Sequence, residues 1–322
     1  MDISAIRDLI ADDLKLVDHT ILHRLETDVV LINQIGHYII NSGGKRLRPM
    51  LVLLSARALG YQGSAHIELA TVIEFIHTAT LLHDDVVDGS SQRRNRDTAN
   101  EVWGNAASVL VGDFLYSRAF EMMVGVQKMR VMEVMAHATN RIAEGEVLQL
   151  LNCNDPDTTQ ERYYEVIDRK TATLFKAGAQ LGAILCNTAP EEEIALSDYG
   201  LHLGIAFQLI DDALDYGSSN QNIGKNIGDD LAEGKPTLPL IRAIECSSGR
   251  QRQLLCDAIS QGAADRIKEI SAIVAQTDAI EYTAQLAKKE AQLACDALEL
   301  LPSSPYRNAL IALANFSVSR RY

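Results

Sequence analysis

Proline and glycine are scarce in this chain. Its 322 residues include 7 prolines and 20 glycines, too few for a fold built on frequent turns, so long helices are expected. Basic residues are outnumbered: 30 Lys+Arg against 43 Asp+Glu give a formal net charge of −13. That balance argues against a nucleic-acid surface, although a local basic cluster can still hold a small anion. Cysteine is thin and scattered. Cys153, Cys186, Cys246, Cys256 and Cys295 form no C-x-x-C pair, which excludes a disulfide framework or zinc site and points to a reducing compartment. Charge-free apolar runs of membrane-spanning length are missing. The opening stretch MDISAIRDLIADDLKLVDHTI is acidic and amphipathic, unlike a signal peptide. The expectation is a cytoplasmic protein without a membrane span.

What is present is helical spacing. Residues 2–41 carry apolar positions at intervals of three and four, SGGKRLRP interrupts, and 50–59 resumes. Further helices are expected over 64–88, 105–125, 128–150, 159–186, 191–216, 236–246, 250–260, 278–299 and 305–319. Few stretches alternate with period two, and no linker divides the chain. The expected fold is one all-α domain over residues 1–322, a helical bundle.

Chemistry concentrates in short motifs. LLHDDVVD at 81–88 is echoed by QLIDDALD at 208–215, in each case an apolar run followed by Asp-Asp-x-x-Asp. Residues four apart share a helix face, so Asp84 projects with Asp88 and Asp211 with Asp215, while Asp85 and Asp212 flank them. Each set closes its helix, where the dipole also attracts cations. Hard oxygen ligands without a pairing His or Cys suggest Mg²⁺ shared with a substrate phosphate. One such motif alone could equally be a solvated acidic helix end; two copies favour metal.

Cations lie close by in sequence. GGKRLRP places Lys45, Arg46 and Arg48 after two glycines that permit a tight turn, and Lys45 and Arg48 could grip one phosphate group. Arg93 and Arg94 follow the first acidic motif; arginine suits bidentate phosphate contacts, and counter-ions to the aspartates are the alternative. His77 lies two helical turns before Asp84 on nearly the same face. Lys170, Lys225 and Lys235 are further cations that, taken singly, read as surface charge. Two acidic helix ends with separate basic clusters fit a site for two diphosphates, one linked through metal and one held by Lys and Arg.

Taken together, GGKRLRP (43–49), LLHDDVVD (81–88), RR (93–94), KT (170–171), FQLIDDALD (207–215), GK (224–225) and GKPTLP (234–239) resemble, in order, the motifs of the trans-isoprenyl diphosphate synthase family. GNAASVLVGDFLY and IAEGEVLQL are most similar to its bacterial octaprenyl branch, which supplies quinone side chains. The resemblance implies a helical fold around a central cavity, a homodimer, and about three Mg²⁺ ions bridged by diphosphate. It implies that Asp84 and Asp88 bind metal from one side and Asp211 from the other, with Asp85, Asp212 and Asp215 supporting. Lys45, Arg48, His77 and Arg94 would hold isopentenyl diphosphate. Arg93, Lys170, Thr171, Gln208 and Lys225 would face the allylic diphosphate, with Lys235 near the same phosphates. One departure is Asn95, where the family places glycine; asparagine tolerates positive φ better than most residues.

The resemblance also implies repeated condensation of isopentenyl units onto a primer such as farnesyl diphosphate, and handover of the product to a membrane enzyme. Ala79, five residues before Asp84, stands where short-chain members carry a bulky aromatic, so a long product is expected. Thr80 and Ile76 would line the same wall, and Met123 and Met135 are candidates for its floor. A class I terpene cyclase would lack the second diphosphate site. A non-catalytic subunit of a heteromeric synthase would have degraded aspartate motifs.

Overall fold

The computed structural model describes residues 1–40, 43–93, 96–217 and 228–319. Arg94, Asn95 and Lys225, all singled out in the sequence, lie outside the described residues. The described residues are all-α apart from one rung of hairpin, in which Gln92–Arg93 pairs antiparallel with Arg96–Asp97. The expected helices are present, with several differences, among them a π-helical segment at Asp168–Ala172 inside the helix expected over 159–186 and a short helix at Asp229–Ala232. The apolar period over 2–41 is divided among Ile3–Leu9, Ala11–Leu25 and Val30–Ile40. The second break is made by Asn33, whose side chain accepts from the Thr27 N–H and donates to the Thr27 carbonyl, a local bond that an apolar period does not register. Ala99–Trp103 is too short for a periodic signal. Ile267–Gln276 does carry that signal, in Ile270, Ile273 and Val274, and adds a helix to the expected set.

The chain divides into two compact units. The first comprises Met1–Thr139, Leu174–Gly200 and Ala297–Leu313; the second comprises Asn140–Thr173, Leu201–Asp296 and Ala314–Tyr322. In the first, the helix Ala65–Val87 is buried on nearly all sides from Leu69 to Ala79, with Leu69, Val72, Ile73, Phe75 and Ile76 in the core and Glu74 among its buried polar residues. By length and composition alone it could cross a membrane; here its apolar residues form core. The helix Asn105–Gly125 packs along it, and Ser108 donates to the Leu82 carbonyl at 3.0 Å. In the second unit, Tyr163, Leu209, Ile210, Leu214, Leu238 and Ile241 form one apolar cluster. A second cluster there joins Tyr216, Leu240, Leu255, Ile259 and Ile270. All five cysteines are free thiols.

Candidate active site

Within the first unit, the helix Ala65–Val87 stops at a glycine turn that sets out the aspartates. Asp88 caps the helix, its N–H donating to the Asp84 carbonyl at 2.8 Å, and Gly89 takes φ +62°. The Ser90 N–H then returns to the Asp85 carbonyl at 3.0 Å, completing a glycine-terminated C-cap. Thr98 and Asn100 both donate to the Ser90 carbonyl, which ties the following hairpin back to the helix end. Asp84 and Asp88 are half-buried, whereas Asp85 is buried. Arg93 donates Nε and Nη2 to Asp85 Oδ1 at 2.9 and 2.7 Å. Burial raises the pKa of Asp85 above the usual carboxylate range, against the pull of Arg93; Asp84 and Asp88 add to the push. Three carboxylates at the negative end of a helix dipole make a strongly cation-seeking surface.

The basic set of this unit sits at the start of the helix Leu47–Ala58. Arg48 Nη1 lies 3.1 Å from His77 Nε2, and its guanidinium lies 4.5 Å from the centre of the Phe175 ring. Lys45 is exposed in the preceding loop. Arg46, between them, turns inward onto Glu74. Ala79, Ile76, Met123 and Met135 are all fully buried, and Thr80 Oγ1 donates to the His77 carbonyl at 2.9 Å. An open groove of about 570 Å³, lined by Gln34, His37, Tyr38, Arg96 and Trp103, contains none of these motif residues.

In the second unit, a hydrogen-bond chain runs through the second aspartate motif. Thr171 Oγ1 donates to Gln208 Oε1 at 3.0 Å, and Gln208 Nε2 donates to Asp212 Oδ1 at 2.7 Å. The Tyr163 hydroxyl donates to Asp212 Oδ2 at 2.6 Å. Asp212 is buried; burial, and next the charge of Asp230, push its pKa up, while Tyr163 and Gln208 pull it down. Asp215, also buried, accepts from the Asp230 N–H at 3.3 Å. Lys235 reaches Glu233 at 2.5 Å.

Lys170 and Thr171 stand on a π-helical segment, Asp168–Ala172, in which the Thr173 N–H reaches back to the Asp168 carbonyl. Such a bulge inserts a residue into a helix and re-aims its neighbours, and it recurs at functional sites. It lies hard against the helix Met129–Asn152: a Cβ built on Gly145 would come within 2.6 Å of the Lys170 nitrogen, so only glycine allows the approach. Next to it, Glu146 accepts from Lys170 Nζ at 2.6 Å.

The oxygen-only donor set at each helix end fits a hard divalent cation. Among the described residues no group of three or more potential ligands is already assembled around one metal-sized point. An ion held by Asp84 and Asp88, or by Asp211, therefore needs further oxygens from a diphosphate and water, the usual habit of Mg²⁺.

A family model described as polyprenyl synthetase matches residues 29–276. The chain belongs to the polyprenyl synthetase family. The octaprenyl diphosphate synthase of Escherichia coli (strain K12) is 54% identical over 321 residues, 99% of each chain. The octaprenyl diphosphate synthase of Haemophilus influenzae is 51% identical over 323 residues, 100% of this chain and 98% of its own. The crystal structure of the polyprenyl synthase from Caulobacter crescentus CB15, complexed with calcium and isoprenyl diphosphate, superposes with a TM-score of 0.96 at 44% identity, covering 100% of this chain and 98% of that one. As a member of this family the chain is a prenyltransferase.

In this polyprenyl synthetase, Tyr163, Glu146 and Glu74 hold motif residues without any sequence signal that marks them for that role. Each lies far along the chain from the motif residue it holds, and none belongs to a charged cluster. Tyr163 is the most testable. Tyr163→Phe removes a donor to a buried carboxylate, a bond worth about 1.5–3 kcal/mol. Shared between stability and catalysis, that loss is expected to lower turnover roughly tenfold and to reduce the melting temperature by a few degrees. Steady-state rates and a thermal melt check it; wild-type turnover at an unchanged melting temperature would remove Tyr163 from any orienting role.

Proposed function

We propose that this chain is an all-trans octaprenyl diphosphate synthase that extends an allylic primer such as farnesyl diphosphate with isopentenyl units, for the side chain of a quinone. The observation that carries this reading is the duplicated helix-end aspartate motif, with Arg93 beside Asp85 in one unit and, in the other, Lys170 on the bulge whose next residue, Thr171, is linked through Gln208 to Asp212. The identity of 51–54% to octaprenyl synthases over the whole chain supports this product class. Because the family match crosses both units, residues 1–322 are read as one catalytic domain.

In this reading Asp84 and Asp88 in the first unit, and Asp211 in the second, would be the ligands of about three Mg²⁺ ions bound with the allylic diphosphate, with Asp85, Asp212 and Asp215 in support. When bound, the metal neutralises the diphosphate and eases its departure. Arg93, Lys170 and Lys225 stabilise the charge that grows on the leaving group, with Lys235 nearby. Thr171 gives its hydroxyl hydrogen to Gln208, so its own lone pairs remain to face an allylic cation. Lys45, Arg48, His77 and Arg94 hold isopentenyl diphosphate and orient its double bond for attack. A carbon–oxygen bond of the primer breaks, a carbon–carbon bond forms, and the departing diphosphate accepts the proton that is lost. Apolar walls exclude the water that would quench the cation.

The same reading makes the enzyme a cytoplasmic homodimer, with exposed Leu110 and Val124 as apolar surface for a second copy, and passes the product to a membrane enzyme. The deciding experiment incubates the purified chain alone with farnesyl diphosphate, labelled isopentenyl diphosphate and Mg²⁺. Extractable octaprenyl product is expected; cyclic hydrocarbon, or no turnover, overturns the proposal. The two substrates should also separate by mutation. Arg48→Ala is expected to raise the KM for isopentenyl diphosphate about tenfold or more, and Lys170→Ala that for the primer, as loss of a charged phosphate contact implies. Equal losses for both substrates in both variants would remove the division of labour.

A further inference from the structure

Of the three cations in GGKRLRP, Arg46 faces away from its two neighbours' proposed task. It is the N-cap of the helix Leu47–Ala58 and sits at φ +52°, a left-handed conformation that is unfavourable for any residue with a Cβ. Its guanidinium pairs with the Glu74 carboxylate, donates to the Ile40 carbonyl at 3.3 Å and lies 3.8 Å from Asp18. Only 14% of the Arg46 side chain and 10% of the Glu74 side chain is exposed. Glycine would take this backbone conformation without cost. An arginine at this position bears backbone strain, and its inward contacts with Glu74 and the Ile40 carbonyl offset that strain.

What it supplies is a second anchor. Glu74 and His77 are three residues apart on the helix Ala65–Val87 and share a face. Glu74 holds Arg46, and His77 meets Arg48 at 3.1 Å. One helix face therefore grips the motif at two points, on either side of Leu47. A loop that begins with Gly43 and Gly44 has wide conformational freedom, and the Glu74 contact holds the residue next to Lys45 against the same helix face that meets Arg48.

We infer that Arg46 and Glu74 form a positioning pair that fixes Lys45 and Arg48 for isopentenyl diphosphate without either of the pair touching the substrate. The inference rests on the proposed assignment of Lys45, Arg48 and His77 to that substrate. The nearly dry carboxylate–guanidinium contact suits such a task. Its geometry is narrow, and removing either partner leaves the other charge poorly compensated.

The test uses Arg46→Gly, Arg46→Lys and Glu74→Gln in the full chain. Arg46→Gly relaxes the backbone and deletes the guanidinium, so it separates the turn from the pair. Direct calorimetric binding of isopentenyl diphosphate, and its KM at saturating primer, are read beside the primer KM and a thermal melt. Misplacing the phosphate grip should weaken isopentenyl diphosphate roughly tenfold in Arg46→Gly and severalfold in Glu74→Gln, with the primer KM within about twofold of wild type. Arg46→Lys, which keeps a cation within reach of Glu74, should recover most of the affinity. Unchanged isopentenyl diphosphate binding in a folded Arg46→Gly overturns the inference. An equal loss for both substrates also overturns it, because that marks general destabilisation. Should Arg46→Gly not fold, Glu74→Gln carries the same comparison. A wild-type chain that binds isopentenyl diphosphate but does not elongate would defeat the proposed function and leave the positioning pair standing.

Discussion

Asp84→Ala is expected to lower turnover by about two to four orders of magnitude, with Asp211→Ala alike, because metal-borne charge stabilisation is worth several kcal/mol. Folding should survive. Asp84 lies half-buried in the last turn of its helix, where its charge meets the negative end of the dipole and stands beside Asp85 and Asp88. Removing it relieves repulsion and opens no cavity in the core. The helical circular dichroism and melting temperature should therefore change little while activity collapses. A Mg²⁺ titration sharpens the result. If the aspartate acts through metal, the residual activity of the variant should need more Mg²⁺ to reach its plateau. Wild-type rates at limiting Mg²⁺ in either variant would end the metal assignment. Asp85 would be a poorer probe, since its loss strands Arg93, which donates both Nε and Nη2 to it.

Ala79→Tyr is expected to convert the main product from octaprenyl to a short chain of three or four units while primer consumption continues. Ala79 lies five residues before Asp84, roughly 7.5 Å along the helix axis at 1.5 Å per residue. In the proposed function, a hydrocarbon growing from the metal end along this helix would pass this depth, and a methyl group there would obstruct little. The structure also sets a competing outcome. Ala79 is fully buried, and Phe75 and Ile76 on the preceding turn are fully buried as well. A tyrosine without room would overpack this core at a cost of about 1–3 kcal/mol. The two effects separate in one experiment. Reversed-phase chromatography of dephosphorylated products reads chain length, and a thermal melt reads overpacking. A folded, active variant that still makes octaprenyl product would place the hydrocarbon along another wall, and would free Met123 and Met135 from any role as its floor.

How much of this was legible in the chain depends on the range of the interaction. The aspartate sets, the glycine stop after Asp88 and the basic run at 45–48 are local. A period of four places Asp84 with Asp88, and Gly89 ends the helix by its own backbone freedom, so these features needed no tertiary information. The all-α class was legible for the same reason: helical periodicity is written within each turn.

Other features follow from contacts that no local pattern encodes. Whether Arg93 serves a phosphate or an aspartate could not be read from RR at 93–94; in this structure burial of Asp85 draws it onto the carboxylate. Arg46 carries the same charge as Lys45 and Arg48, and the approach of Glu74 from another helix, with the Ile40 carbonyl, turns it inward. Tyr163 and Asp212 are 49 residues apart, and their bond exists because Tyr163 packs into an apolar cluster with Leu209, Ile210 and Leu214, from the helix that carries the buried Asp212, whose carboxylate must find a donor. The π-helical turn at Asp168–Ala172 is the clearest case. One inserted residue leaves a helical period readable on both sides, so the sequence reads as an unbroken helix. Only the packing of that turn against Gly145 decides where Lys170 and Thr171 point.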